Sequence, residues 1–128
     1  MKPDIGLLIM RLAFGLMMAF SHGLGKFQNL IAGKGGFPDP LGIGSTPSLA
    51  LAAFGEFICA LAVAVGFKTR WASIPVVITM LVAALIFHAD DGWGKQEFPL
   101  LYAFGFLALV FTGGGKHSLD AWLKKRRR

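Results

Sequence analysis

The chain has 128 residues, of which 55% are hydrophobic and 16% charged, with a mean hydropathy of +0.61 and a net charge of +6. Soluble domains carry about 25% charged residues, so composition points to one membrane domain, residues 1–128, with little mass outside the bilayer. The basic residues sit in short segments between or after apolar runs, where positive charge sets topology. This excludes nucleic acid as a partner.

The first apolar run, Ile5–Lys26, is long enough to span a bilayer yet carries Arg11, His22 and Lys26. At 100° per residue Arg11, Gly15, Met18 and His22 share one face, with Lys26 close to the same stripe. An arginine facing lipid costs about 2.5–3.5 kcal/mol on insertion scales, so this face is expected to meet protein or water. The polar stripe continues past Ala19-Phe20-Ser21, which argues against a cleaved signal peptide there.

Gly25–Ser48 is a Gly- and Pro-rich connector that also holds Phe27, Phe37, Leu41 and Ile43. Two readings stay open: an interfacial loop following a first helix that runs to about Ile31, or a lid over the outer end of the bundle. The second span is read as 47–67, with Thr46 as N-cap and Pro47 at the first helical position. Its Ala and Gly content suits close helix packing, and Glu56 sits near its middle. Cys59 is the single cysteine, so no disulfide or cysteine-pair redox chemistry lies within the chain.

A basic turn, Gly66–Arg70, leads to a third span at 71–88, with Thr69 placed to cap it and Trp71 as an interfacial anchor. The polar turn Ala89–Gln96 follows. Glu97 and Pro99 open a fourth span at 96–113, and Gly113-Gly114-Gly115 ends it. Residues 114–128 form a basic tail ending Lys124-Lys125-Arg126-Arg127-Arg128, read as an anchor on anionic headgroups. The expected fold is therefore an all-α, four-helix membrane bundle. The Lys and Arg distribution puts both termini on the cytoplasmic side of the membrane.

In that topology His22 and Lys26, His88, and Glu97 come to one level at the outer ends of three helices. Arg11 and Glu56 lie deeper and are expected to pair, either to fix helix register or as a buried relay. The outer set suits several chemistries. Histidine and carboxylate suit proton exchange at a quinone, and Lys26 and Arg11 suit a small anion. Axial ligation of haem by His22 and His88 is the less favoured reading. The spacing is that of no metal motif, and no metal is expected.

His22-Gly23-Leu24-Gly25-Lys26-Phe27, the helix-2 glutamate, Gly66-Phe67-Lys68-Thr69-Arg70, the histidine ending helix 3, the helix-4 glutamate and Ser118-Leu119-Asp120 resemble, in that order, the DoxX family of small bacterial membrane proteins. The resemblance covers nearly the whole chain and implies a four-helix membrane bundle. It also implies a link to thiosulfate:quinone oxidoreductase, whose membrane subunit is related, and to oxidative-stress complexes with a sulfurtransferase and superoxide dismutase.

The expectation that follows is a membrane subunit of a quinone-linked sulfur or thiol redox system. His22, His88 and Glu97 would act as catalytic groups, and Lys26, Arg11 and Glu56 would bind a quinone headgroup or small anion. A soluble redox or sulfurtransferase subunit, or a second copy of the chain, would be its partner. The alternative is a non-catalytic membrane assembly platform.

Overall fold

The computed structural model describes residues 2–127; Met1 and Arg128, the last residue of the basic tail, lie outside the described residues. Among them there are helices and no strands. We label α1 (Pro3–Ile31), α2 (Ser45–Val65), α3 (Thr69–Phe87), α4 (Trp93–Thr112) and the short α5 (Leu119–Arg126). The first three are long and apolar enough to cross a membrane, at 29, 21 and 19 residues. The surface agrees with a lipid environment: Ile9, Met17, Phe104 and Phe111 are 58–76% exposed. In water such an apolar belt would drive association.

The helices meet where one of them has no side chain. Gly15 faces the backbone of Ala60 and Ala64, and a Cβ there would lie 2.8 Å from the Ala60 carbonyl. Gly23 rests against the backbone at Glu56 and Phe57. Gly55 brings α2 onto α3, where a Cβ would lie 2.7 Å from Thr79 Oγ1. On α4, Gly105 makes room for the ring of Phe14, whose edge also meets Tyr102 and Phe106. Packing of this kind suits a bilayer, where close backbone approach replaces the hydrophobic effect between helices. Val63, Val76, Met80 and Phe106 fill the space between.

Three of the long helices contain a widened, i→i+5 turn: Ala19–Gly23 in α1, Phe54–Cys59 in α2 and Ala83–Phe87 in α3. Such turns are rare and cluster at functional sites. In α1 the widened turn rotates the stripe, so that Gly23 rather than His22 makes the tight contact with α2.

The end of the bundle carrying the termini is closed around Arg11, which is 1% exposed. The expected Arg11–Glu56 pair does not form. Nη1 of Arg11 donates to the Ala64 carbonyl at 2.8 Å, Nε to Gly114 at 3.0 Å and Nη2 to His117 at 2.7 Å. Ala64 lies in the last turn of α2, whose carbonyls have no intrahelical partner and where the dipole is negative. Gly114 and His117 lie just beyond α4. The cation is therefore satisfied by one helix-end carbonyl and two carbonyls of the α4–α5 turn. The α4–α5 turn is held further by Asp4, which accepts from Lys116 N–H, and by Gly66, whose carbonyl accepts from Asp120 N–H.

Several helix starts also differ from expectation. Gly44, at φ 110°, caps α2 in place of Thr46, and Pro47 is the third helical residue. Lys68 precedes α3, and Thr69 N–H is met by Asp120 Oδ2 at 3.3 Å, so the cap comes from another segment. α4 begins at Trp93, which leaves Pro99 inside it. In α5, Ser118 Oγ accepts from Ala121 N–H.

Arg11→Met should lower stability by about 3 kcal/mol or more, because the Ala64, Gly114 and His117 carbonyls lose a charged donor inside the fold. A thermal melt in detergent measures this. Gly23→Val should separate α1 from α2 at Glu56 and cost about 1–3 kcal/mol in the same melt.

Candidate functional site

At the other end of the bundle lies a cavity of about 570 Å³. That size is within the range of small-molecule sites. His22 and Lys26 of α1, Glu56 of α2 and His88 at the end of α3 all border it. The widened turns of α1 and α2 carry His22 and Glu56, and that of α3 ends next to His88. Four of the six residues expected from the sequence thus converge.

The other two do not. Arg11 is at the opposite end, bound to carbonyls. Glu97 is exposed on α4 and is not part of the wall, where Lys95 stands instead. Residues two positions apart on a helix face nearly opposite sides, so with Lys95 in the wall Glu97 points away from it.

The partner of Glu56 is Lys26, whose Nζ donates to Oε1 at 2.6 Å. Glu56 is 4% and Lys26 27% exposed at the side chain. A carboxylate this deep requires a paired cation, while the ammonium keeps two further N–H groups for the cavity. The His22 ring lies edge-on to Tyr102 at 5.6 Å and beside Phe98 at 5.9 Å. It has no hydrogen-bond partner among the described residues, so its ring nitrogens are available. His88 Nδ1 lies 2.8 Å from Asp91 Oδ2, which fixes the ring at the mouth.

Tyr102 was not singled out in the sequence. It borders the cavity, is 7% exposed, and its hydroxyl has no hydrogen-bond partner among the described residues. It is the single tyrosine of the chain, set on an apolar helix four residues after Phe98 and four before Phe106. A phenol on such a face calls for a polar partner, and that was the available signal. The rest of the wall is apolar, from residues such as Ile78, Val82 and Phe87.

The connector covers this cavity: Phe37, Pro40, Leu41 and Ile43 face into it. Asp39 gives the cover its shape. Oδ1 accepts from Ser48 Oγ at 2.8 Å and Ile43 N–H at 3.0 Å, and Oδ2 accepts from Gly44 N–H at 2.8 Å. These bonds, led by that of Ser48, hold the Asp39 carboxyl below its usual range. A depressed carboxylate contributes order above its unfolded value, and that order is lost as pH falls through the folded value. The cover should therefore stay closed at neutral pH and loosen on acidification below the ordinary aspartate range. Asp39→Ala should be open at every pH. Hydrogen exchange of residues 37–48 across a pH series checks both.

The DoxX family model matches residues 6–89. The chain is 29% identical over 127 residues to the inner membrane protein YqjF of Escherichia coli, covering 96% of this chain and 95% of that one. It is 36% identical over 64 residues to an uncharacterized protein of Haemophilus influenzae, covering 47% of this chain and 42% of the relative. No solved structure matches the chain. The family match spans α1 to α3 with the connector, and so contains His22, Lys26, Glu56 and His88. The chain belongs to the DoxX family.

Proposed function

We propose that the chain is the membrane subunit of a quinone-linked sulfur or thiol redox system, of the thiosulfate:quinone oxidoreductase kind, and that the covered cavity takes the quinone ring. One observation carries the reading: a largely apolar cavity of about 570 Å³ into which an ion pair, a free histidine and a free phenol converge at one side. The fit is chemical. Ile78, Val82 and Phe98 suit a ring and prenyl chain, while Lys26 Nζ, Tyr102 Oη and His22 are donors suited to ring carbonyls.

When bound, a quinone accepts two electrons and two protons, the electrons coming from a reduced sulfur compound through a partner subunit. The chain's own residues do the rest. Lys26 and Lys95 attract an anionic substrate to the mouth. His22 and His88 supply the imidazole groups that pass protons between the cavity and its mouth. Glu56 holds Lys26 in place. The apolar cover formed by Phe37, Leu41 and Ile43 excludes water.

The membrane arrangement is part of the proposal. α4, at 20 residues, is the fourth span. The Lys and Arg asymmetry puts both termini in the cytoplasm, and the cavity then opens at the outer face. The inner membrane is the location the likeness to YqjF supports.

A double variant, Lys26→Met with Glu56→Leu, separates function from fold, since replacing a buried ion pair by apolar groups of similar size is close to neutral for stability. Titration of the detergent-solubilised protein with decylubiquinone should show binding to the wild type. The double variant should bind at least tenfold more weakly at nearly unchanged melting temperature. Equal binding by both would overturn the quinone reading and favour the assembly platform.

A further inference from the structure

At the end that carries the termini there is a second pocket, of about 420 Å³, between the start of α3, the end of α4 and the α4–α5 turn. The reaction proposed above gives it no part. It is built on the N-terminus of a 19-residue helix. Ala72 N–H bonds to the Lys68 carbonyl, and Thr69 N–H meets Asp120 at 3.3 Å. The N–H groups of Arg70 and Trp71 have no partner among the described residues. Free N–H groups at the positive end of a helix dipole favour an anion.

An independent feature points the same way. Thr69 is part of the pocket wall and 1% exposed, and its hydroxyl has no hydrogen-bond partner among the described residues. Buried hydroxyls are nearly always paired in folded proteins. This one is a donor with no acceptor. The charge is also right: Lys68, Arg70 and Lys124 line the pocket against the one carboxylate of Asp120. Arginine's planar fork matches phosphate oxygens in pairs. Trp71, 75% exposed, stands on the rim, as an aromatic ring does at a membrane–water boundary.

We propose that this pocket binds a phosphate oxyanion, carried either by an anionic phospholipid headgroup or by soluble phosphate. The free N–H groups of α3, the Thr69 hydroxyl and Arg70 hold the oxygens, and Lys68 and Lys124 balance the charge.

The test is the thermal melt of the full chain in detergent. One arm adds phosphatidylglycerol against phosphatidylcholine. The other adds inorganic phosphate against chloride at equal ionic strength. Each is run on the wild type, Arg70→Gln and Thr69→Val. Wild type should gain several degrees from phosphatidylglycerol over phosphatidylcholine if the source is lipid, or from inorganic phosphate over chloride if it is soluble. In both variants the half-saturating concentration should rise at least fivefold. Thr69→Val changes no charge, so general attraction of anions to the basic tail would not respond to it. Arg70 is exposed and makes no side-chain hydrogen bond among the described residues, so its variant should fold and decide the matter even if Thr69→Val does not. No gain in either arm, or a gain that both variants keep, overturns the proposal.

Discussion

A single buried guanidinium organises one end of this molecule. Arg11 sits where the C-terminal ends of α2 and α4 meet, and its donors go to carbonyls of Ala64, Gly114 and His117. The arrangement is electrostatically economical. Helix C-termini present unpaired carbonyls and negative dipole ends, and in a low-dielectric interior those groups need a donor as much as the arginine needs acceptors. One side chain answers both needs and ties α1, α2 and the α4–α5 turn together. Gly66 packs against it, with a Cβ there 2.8 Å from Nη1, so the αL turn between α2 and α3 is shaped around the same group.

Closure at that end frees the other. With Arg11 satisfied locally, Glu56 takes Lys26, further along α1. The widened turns of α1 and α2 pack on each other where Gly23 meets the Glu56 backbone. Each such turn gives up regular α-helical hydrogen bonding in exchange for a re-aimed side chain. Here the re-aimed chains are His22 and Glu56, both bordering the cavity. The connector's apolar side chains then serve as the missing wall, and Asp39 holds that wall by three hydrogen bonds. Structure is thus divided along the helix axes: a rigid, carbonyl-clasped end and a cavity end with free donors.

That division also orders the charge. The cavity end carries an ion pair within the bundle and lysine at the mouth, while the clasped end carries the phosphate-suited pocket beside the basic tail. A chain of this size can hold both because its helices touch through glycine and alanine, leaving the large apolar side chains to face lipid.

The sequence by itself determined what depends on periodicity and composition. Apolar run length gave the long helices, and the ordered motifs gave the family, because both are local in the chain. It also placed His22, Lys26 and His88 near one level, with Glu56 below them, since helix direction and rise per residue fix depth. What it could not determine was pairing. Arg11 lies level with Ala64 and Glu56 level with Gly23, so the two are well separated along the helix axes, and the backbone carbonyls that satisfy Arg11 are the same for every residue and leave no mark in the sequence. Glu97 left the site and Tyr102 entered it because the rotation of α4 about its own axis, which only packing decides, faces Lys95 and Tyr102 to the cavity and Glu97 away. The cover over the cavity was open to two readings for a related reason. Its shape rests on Asp39 meeting Ser48 and Gly44 across a turn, a contact that only the folded chain brings about.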